Sequence, residues 1–263
     1  MKTTTNTSAT HFLLLSSALT TKRAQCITPK AAAVAAAASA SSSEKKEKIE
    51  IRVCTNRTCR KQGSLNALQV LSGIAPPFVT VNSCGCLGRC GSGPNIVILP
   101  EGVFVGHCGT PSKAADTMAV ICGVDEASMG RQKCLEALAL RKRAEDEMGR
   151  GDFARAFSLL SQAIDLKPFG GVHIIYKERS AARLAMGDIN GALEDAKEAL
   201  DIAPSYPEAY ICEGDVLMAM DQLGAAEESY SIALDLDPSI RRSKLFKARL
   251  AKLQEKLAPT RLD

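Results

Sequence analysis

A set of small residues followed by proline recurs three times in the second half of this 263-residue chain. The copies are Ala144, Ala156, Ala163 and Pro168, then Ser180, Ala192, Ala199 and Pro204, then Gly214, Ala226, Ala233 and Pro238. The second and third copies are 34 residues apart and the first and second 36, which implies an insertion near Gly170-Gly171. Small side chains at fixed spacing let paired helices pack closely, and proline ends the second helix because it cannot continue one. The pattern predicts an all-α solenoid of stacked helical hairpins.

These residues occupy the positions that the tetratricopeptide repeat (TPR) reserves for small side chains and its terminal proline. The segment 137–240 therefore resembles the TPR family. The expected repeats are 137–170, 173–206 and 207–240. Three repeats are about the minimum that buries a continuous core, and the resemblance implies that their groove docks a protein partner. A linker or helix over 124–136 and a capping helix and tail over 241–263 are expected to flank the array.

The resemblance extends to TPR proteins that bind chaperones, whose groove holds an acidic C-terminal peptide with basic and asparagine side chains. The matching groove positions here are Arg141, Glu145, Glu178, Glu208 and Cys212. The first keeps a basic residue, but three of the others are acids and one is a thiol. Because like charges oppose a carboxylate ligand, binding of an acidic chaperone tail is not expected. The acidic excess in this part of the chain favours a basic partner segment, or is only a solvated helix face.

Four cysteines in the first half of the chain form two pairs. Cys54 and Cys59 enclose four residues at the end of a predicted strand, while Cys86 and Cys90 enclose three residues in a glycine-rich turn. A 2Fe-2S cluster needs four thiolates, two to each iron, and glycines let the backbone approach it closely. The spacing favours an iron–sulfur site. A structural zinc and a set of disulfides are the alternatives.

This block, residues 47–123, resembles the thioredoxin-like 2Fe-2S ferredoxin family, which includes the small cluster-bearing subunit of respiratory complex I. The resemblance rests on the C-x4-C of Cys54 and Cys59, the following Gly63-Ser64 helix start, and the run from Cys86 to Pro94. It implies that each cysteine pair holds one iron. Cys84 departs from the family pattern and is a candidate alternate ligand.

The same block shows the alternation and turn residues of a small α/β domain. The predicted strands are 50–53, 78–81, 96–99 and 102–105, with helices starting at Ser64 and near Pro111. The order βαβββα predicts an open sheet with helices packed against it.

Residues 1–46 have the composition of a transit peptide followed by a linker. This segment is rich in Ser and Thr, lacks acids before Glu44 and contains an alanine tract over 31–40. Many hydroxyls with a single Arg favour a chloroplast over a mitochondrial destination, and a secretory signal is a weaker alternative. Without the residues before Glu44 the chain has 29 basic and 29 acidic residues, so its charge gives no reason to expect nucleic acid. No stretch reaches the roughly 18 apolar residues of a membrane-spanning helix.

These features together predict a plastid protein in which a 2Fe-2S centre transfers electrons or senses redox state. The TPR array would dock it to a protein complex during assembly or regulation. The alternative is a TPR assembly scaffold whose four-cysteine site, with 2Fe-2S or zinc, is purely structural. No flavin, nucleotide or metal-hydrolase motif is evident, so the chain is not expected to be an enzyme on its own.

Overall fold

A small sheet forms the first layer of the structure. The computed structural model describes residues 48–124 and 130–258. The strands are β1 (Ile49–Cys54), β2 (Val79–Cys84), β3 (Ile96–Leu99) and β4 (Val103–Val105). They lie in the order β2-β1-β3-β4, with β1 parallel to β2 and the other two pairs antiparallel. β2 is therefore an edge strand, bonded on one side only.

Three helices complete this α/β layer: α1 (Arg57–Lys61), α2 (Ser64–Ile74) and α3 (Pro111–Ile121). α2 provides the crossover that the parallel strands β1 and β2 require. α3 begins where the sequence predicts, because Thr110 caps its first turn and Pro111 needs no amide partner there. The predicted order βαβββα is confirmed apart from α1, which is too short to produce a periodic signal. The thioredoxin-like ferredoxin assignment stays an interpretation from the sequence.

The core of this layer lies between the sheet and its helices. Ile51 and Val53 of β1 and Ile96 of β3 are completely buried, and they pack against Leu71 of α2 and Met118 of α3. Each such side chain stabilises the fold by about 1.5–3 kcal/mol relative to an exposed position. This packing holds the ends of β1 and β2, where the cysteine loops begin.

The rest of the described chain is a TPR-like solenoid, as the repeat pattern predicts. Its helices are α4 (Gly130–Arg150), α5 (Phe153–Asp165), α6 (Val172–Met186), α7 (Ile189–Ile202), α8 (Pro207–Ala219), α9 (Leu223–Leu236) and α10 (Lys244–Leu257). The recurring alanines and Ser180 are fully buried between helices. A Cβ on Gly214 would lie 2.4 Å from the ring of Tyr230. Close helix packing therefore requires the small residues that define the repeat.

The final helix α10 caps the array. Arg249 donates hydrogen bonds to both carboxylate oxygens of Asp215 on α8, at 2.6 and 2.8 Å. Tyr230 donates to the same carboxylate at 2.8 Å, and its ring meets Phe246 edge to face. These contacts close the end of the third repeat.

None of the helices described is long and apolar enough to cross a membrane.

The α/β layer packs directly against the first repeat. Cys134 and Leu138 of α4 belong to the same buried cluster as α2 and the sheet. The amide of Gly171 donates to the carbonyl of Ala75 at 3.1 Å. A Cβ on Gly170 would lie only 2.1 Å from the carbonyl oxygen of Ile74, so this approach requires glycine. The insertion between the first two repeats is the turn that makes this contact.

Helix α4 starts earlier than the expected repeat boundary at residue 137. It begins at Gly130, and its first two turns carry Cys134 into the core of the α/β layer. The sequence does not mark this start, because the apolar residues of these turns face a different layer from those of the repeat.

Candidate four-cysteine centre and peptide groove

The two predicted cysteine pairs lie on neighbouring loops at one end of the sheet. Cys54 ends β1, and Cys59 lies in α1, which Asn56 caps by accepting a hydrogen bond from the next amide at 2.6 Å. Cys86 follows β2, and Cys90 begins a short 3-10 helix. Because β1 and β2 are parallel and adjacent, their carboxyl ends bring the two loops together.

The four thiols approach one another in pairs. Cys86 Sγ and Cys90 Sγ are 3.8 Å apart, and the thiols of Cys54 and Cys59 share a hydrogen bond. Cys90 also interacts electrostatically with both members of the first pair. The fold thus places the four cysteines as two pairs on neighbouring loops, with an electrostatic interaction between the pairs.

The donor set fits metal binding by thiolates. Two thiolates on one tetrahedral ion, with bonds of about 2.3 Å, stand about 3.8 Å apart, which matches the Cys86–Cys90 separation. Backbone amides reach the sulfurs as well, as cluster sites require. The pairs are Gly88 with Cys86 (3.4 Å), Asn56 and Leu87 with Cys54, and Asn95 with Cys59. Over residues 48–124 and 130–258, no three His, Cys, Asp or Glu side chains are grouped to hold one ion.

Gly93 lets the backbone pass close to Cys59 on one side of the site. A Cβ there would lie 3.1 Å from Cys59 Sγ and 2.2 Å from the side-chain oxygen of Gln62. Cys54 and Cys59 are buried, whereas Cys86 and Cys90 are exposed. One pair therefore faces the protein and the other faces solvent.

The thiols differ in their tendency to ionise. Burial alone would raise the pKa of Cys54, but hydrogen bonds from the Asn56 and Leu87 amides outweigh it and lower that pKa. Burial raises the pKa of Cys59, and the neighbouring Cys86 thiol raises that of Cys90. Of Cys54, Cys59 and Cys90, Cys54 is therefore the first to form a thiolate.

Cys84 stands at the margin of this group. It ends β2 directly opposite Cys54 in the strand register and is half-buried. Burial raises its pKa, and it interacts electrostatically with Cys54, Cys59 and Cys86. Its role as an alternate ligand stays a prediction.

A positive field surrounds the cysteine loops. Arg57, Arg60, Lys61 and Arg89 are exposed, and residues 51–100 contain no acid. Arg89 also stacks over the ring of Phe104, with its guanidinium carbon 4.4 Å from the ring centre. The surface around the cysteine loops is therefore positively charged and suits an anionic partner.

The predicted groove residues lie on the first helices of the three repeats, and two of them are buried together. Arg141 and Glu178 have exposed fractions of 7% and 8%. Arg141 Nε is 4.0 Å from Glu178 Oε2 and 3.6 Å from Glu145 Oε1, too far for hydrogen bonds. Both Arg141 Nε and Glu178 Oε2 are buried without a hydrogen-bond partner. Such groups are expected to be bonded, so this pair is incomplete.

The other groove positions differ in exposure. Cys212 is buried, with its thiol 3.2 Å from the Ser180 hydroxyl and 3.5 Å from the Lys177 carbonyl, so it joins two repeats. Glu145 is exposed, and Glu208 lies at the first turn of α8. The two acids Glu145 and Glu208 therefore lie at the surface of the array, and Cys212 lies inside it.

A cavity of about 480 Å³ separates the groove from the α/β layer. His173, Tyr206 and Glu208 line it from the array, and residues 79–81 of β2 line it from the sheet. His173 meets the ring of Tyr206 edge to face, with ring centres 5.0 Å apart. Sequence reasoning assigned no role to His173, because only the packing of the two layers places it here.

Burial changes the charge of this region. It raises the pKa of Glu178, against the opposing effects of Lys177 and Arg141. It also lowers the pKa of His173 to about 4, an effect that Arg141 and Lys177 strengthen. At neutral pH the imidazole is therefore uncharged and able to accept or donate a hydrogen bond, and its Nδ1 is buried without a partner.

Comparison with known proteins supports the TPR assignment. Heat shock protein STI1 of Saccharomyces cerevisiae is 32% identical over 93 residues, which is 35% of this chain and 16% of the relative. The Hsp70-Hsp90 organising protein of Plasmodium falciparum is 30% identical over 104 residues, 40% of each chain. The chain thus spans less than half the length of either relative. No family model matches it.

A solved structure with a similar arrangement is the first TPR of Spaghetti (RPAP3) bound to the HSP90 peptide SRMEEVD. It is 22% identical, covers 47% of this chain and 94% of its own, and has a TM-score of 0.42. On the evidence of the two sequence relatives, the helical part of the chain is a TPR scaffold that resembles those of Hsp70/Hsp90 co-chaperones and has a protein-docking role.

The prediction that the groove rejects acidic chaperone tails in favour of a basic segment is wrong. Sequence similarity to a protein that is named for Hsp70 and Hsp90 overturns it. The prediction assumed that every groove acid is ionised and faces the ligand. Burial raises the pKa of Glu178, however, and Cys212 is withdrawn between helices.

Acidification should destabilise the wild-type protein more than the variant His173→Asn. The folded chain keeps His173 neutral down to about pH 4, whereas the unfolded chain binds a proton near pH 6.5. Stability is therefore lost as the pH falls through this window, by about 2 kcal/mol at pH 5. Urea unfolding at pH 7 and pH 5 measures the difference.

The matched control is His107→Asn. His107 is exposed with φ 56°, a conformation that asparagine tolerates. This variant should keep the wild-type pH dependence. Equal losses of stability on acidification in wild type and His173→Asn would contradict the prediction.

Proposed function

We propose that this protein is a docking scaffold whose repeat array binds the acidic C-terminal tail of a partner protein, of the kind carried by Hsp70 and Hsp90. The observation that carries the proposal is the buried guanidinium of Arg141, whose Nε has no hydrogen-bond partner at the base of the groove. A buried guanidinium N–H without a hydrogen-bond partner costs free energy that a ligand carboxylate would recover. Similarity to Hsp70-Hsp90 organising proteins supports the same class of partner.

The acids around Arg141 do not exclude a carboxylate. Burial raises the pKa of Glu178 and so disfavours the charged form that would repel a ligand carboxylate. Lys177, next along α6, adds a second base near Glu178, with its Nζ 3.6 Å from Glu178 Oε1. The groove therefore places two bases beside its buried acid.

The peptide SRMEEVD should bind the full chain, and Arg141→Ala should weaken that binding by about 10- to 100-fold. This is the range expected for losing a charge-assisted hydrogen bond of about 1.5–3 kcal/mol. Fluorescence anisotropy of the labelled peptide measures the affinity. Glu178→Gln should bind at least as tightly as wild type, because glutamine cannot carry charge.

Arg143→Ala provides the matched control, since Arg143 is exposed on the same helix. It should leave the affinity unchanged. Amidation of the peptide's C-terminus should weaken binding to the wild type. Absence of binding to wild type, or equal loss in the Arg141 and Arg143 variants, would refute the proposed docking function.

For the α/β layer, we propose that the four cysteines hold a 2Fe-2S cluster that keeps the loops after β1 and β2 together. Pairwise thiol contacts and amide donors to sulfur support this assignment. When bound, such a cluster cross-links Cys54 and Cys59 to Cys86 and Cys90 and can accept one electron. Zinc is the alternative ion, and Cys84 the alternative ligand.

A second candidate function couples redox state to docking. Exposure of Cys86 and Cys90 favours it, because an electron partner can approach that side of the site. The positive field of the cysteine loops would stabilise a reduced, more negative cluster. If this second function holds, the affinity of the groove for its peptide changes when the cluster is reduced.

Protein reconstituted with iron and sulfide should absorb between about 400 and 600 nm, as thiolate-bound iron does. Cys86→Ser should lose this absorption and lower the melting temperature, because one ligand is lost. Cys122→Ser should keep both, since Cys122 lies at the end of α3 outside the predicted ligand set. Colourless protein with one zinc per chain would overturn the 2Fe-2S assignment.

Peptide affinity measured before and after reduction by dithionite separates the two readings. Unchanged affinity supports a structural cluster, and a change that Cys86→Ser abolishes supports redox coupling.

We also propose, from composition alone, that residues 1–46 direct the chain to the chloroplast. They lie outside the described residues. Residues 1–46 fused to a fluorescent protein should accumulate in plastids of leaf cells. Accumulation in mitochondria would favour the alternative destination, and a cytosolic signal would remove the transit-peptide prediction.

A further inference from the structure

The outer edge of β2 carries backbone groups without strand partners. Ile49 donates to the carbonyl of Phe78, and Thr55 donates to that of Cys84. In a parallel pair the bonded groups of one strand alternate, so the even-numbered residues of β2 face β1. The N–H and C=O groups of Val81 and Ser83 consequently point to the free edge. In the described part of the chain they meet no other strand.

This edge faces the repeat groove. Residues 79–81 form one wall of the 480 Å³ cavity, and His173, Tyr206 and Glu208 form the opposite wall. The volume lies within the range of about 300–1,000 Å³ typical of ligand sites. A ligand in the cavity would therefore contact the array and the edge strand together.

A polar group on the array side of the cavity is also incomplete, since His173 Nδ1 is buried without a hydrogen-bond partner. Arg141 Nε and Glu178 Oε2 are likewise buried without hydrogen-bond partners. These two residues do not line the cavity, but both interact electrostatically with Tyr206, which does. An extended peptide has donors and acceptors on both sides of its backbone and, at its end, a carboxylate complementary to Arg141. It can satisfy both walls, whereas a folded helix has no free backbone groups to offer the strand.

We propose that the extended C-terminal peptide of the partner adds to the edge of β2 as a strand while its acidic end lies in the repeat groove. This inference rests on the proposed docking function and specifies how the α/β layer takes part in it. Backbone pairing would give affinity without reading the peptide sequence, and the repeat groove would select the acidic end. The α/β layer is then half of the binding site.

The decisive variant is Val81→Pro, which removes the outward N–H of the edge. Proline is tolerated on edge strands where the N–H faces away from the sheet. Labelled SRMEEVD should bind this full-length variant about fivefold more weakly than wild type, the effect of one lost backbone hydrogen bond. Val81→Thr keeps the N–H and the side-chain shape, and should bind as wild type does.

Amide hydrogen exchange of the wild-type chain provides a readout that needs no variant. The amides of Val81 and Ser83 should exchange rapidly in the free protein and more slowly with SRMEEVD bound. Protection before peptide is added, whether or not it depends on protein concentration, would overturn the proposal, since a second copy or another segment of the chain would then occupy the edge.

The outcomes separate this inference from the function on which it rests. Binding that Arg141→Ala abolishes but Val81→Pro leaves unchanged, with no added protection of these amides, would overturn strand addition and keep the docking function. No binding of SRMEEVD to wild type would overturn the docking function itself.

Discussion

The structure depends on one close backbone contact, between the Gly170-Gly171 turn and the end of α2. A side chain at either glycine would meet the backbone of the α/β layer at 2.1–2.4 Å. Because neither glycine carries one, α2 can pack on α4, and the two layers share a single buried cluster. The insertion in the repeat pattern thus connects the α/β layer to the repeat array.

Burial of charge is the main cost of this arrangement. Arg141 and Glu178 lie in a region where an unpaired ion is strongly disfavoured, and 4.0 Å between them is too long to compensate. Burial raises the pKa of Glu178 and lowers that of His173, so it favours the uncharged form of each side chain. The unsatisfied groups of Arg141 and Glu178 lower the stability of the free protein. A ligand that forms hydrogen bonds with them would therefore stabilise it. This connects the packing of the layers to docking.

Several elements could be predicted from the sequence because their signals are local. Strand alternation located β1 to β4 within one or two residues, and Pro111 marked the start of α3. The cysteine pairs could be predicted as ligands because their spacing and the neighbouring glycines indicate the geometry of the loops. Helix α1 and the first turns of α4 could not be predicted, since one is too short and the other turns its apolar residues toward another layer.

The sequence by itself determined the repeat array, the order of the sheet and the two loops that carry the thiols. Each follows from periodicity or spacing within a short stretch of chain. Only the tertiary structure decided that Arg141 is buried, that Glu178 is a poor acid and that the free edge of β2 faces the groove. These properties depend on contacts between residues about 35 to 130 positions apart, which no local pattern records. The charge of a groove, in particular, follows from burial as much as from composition.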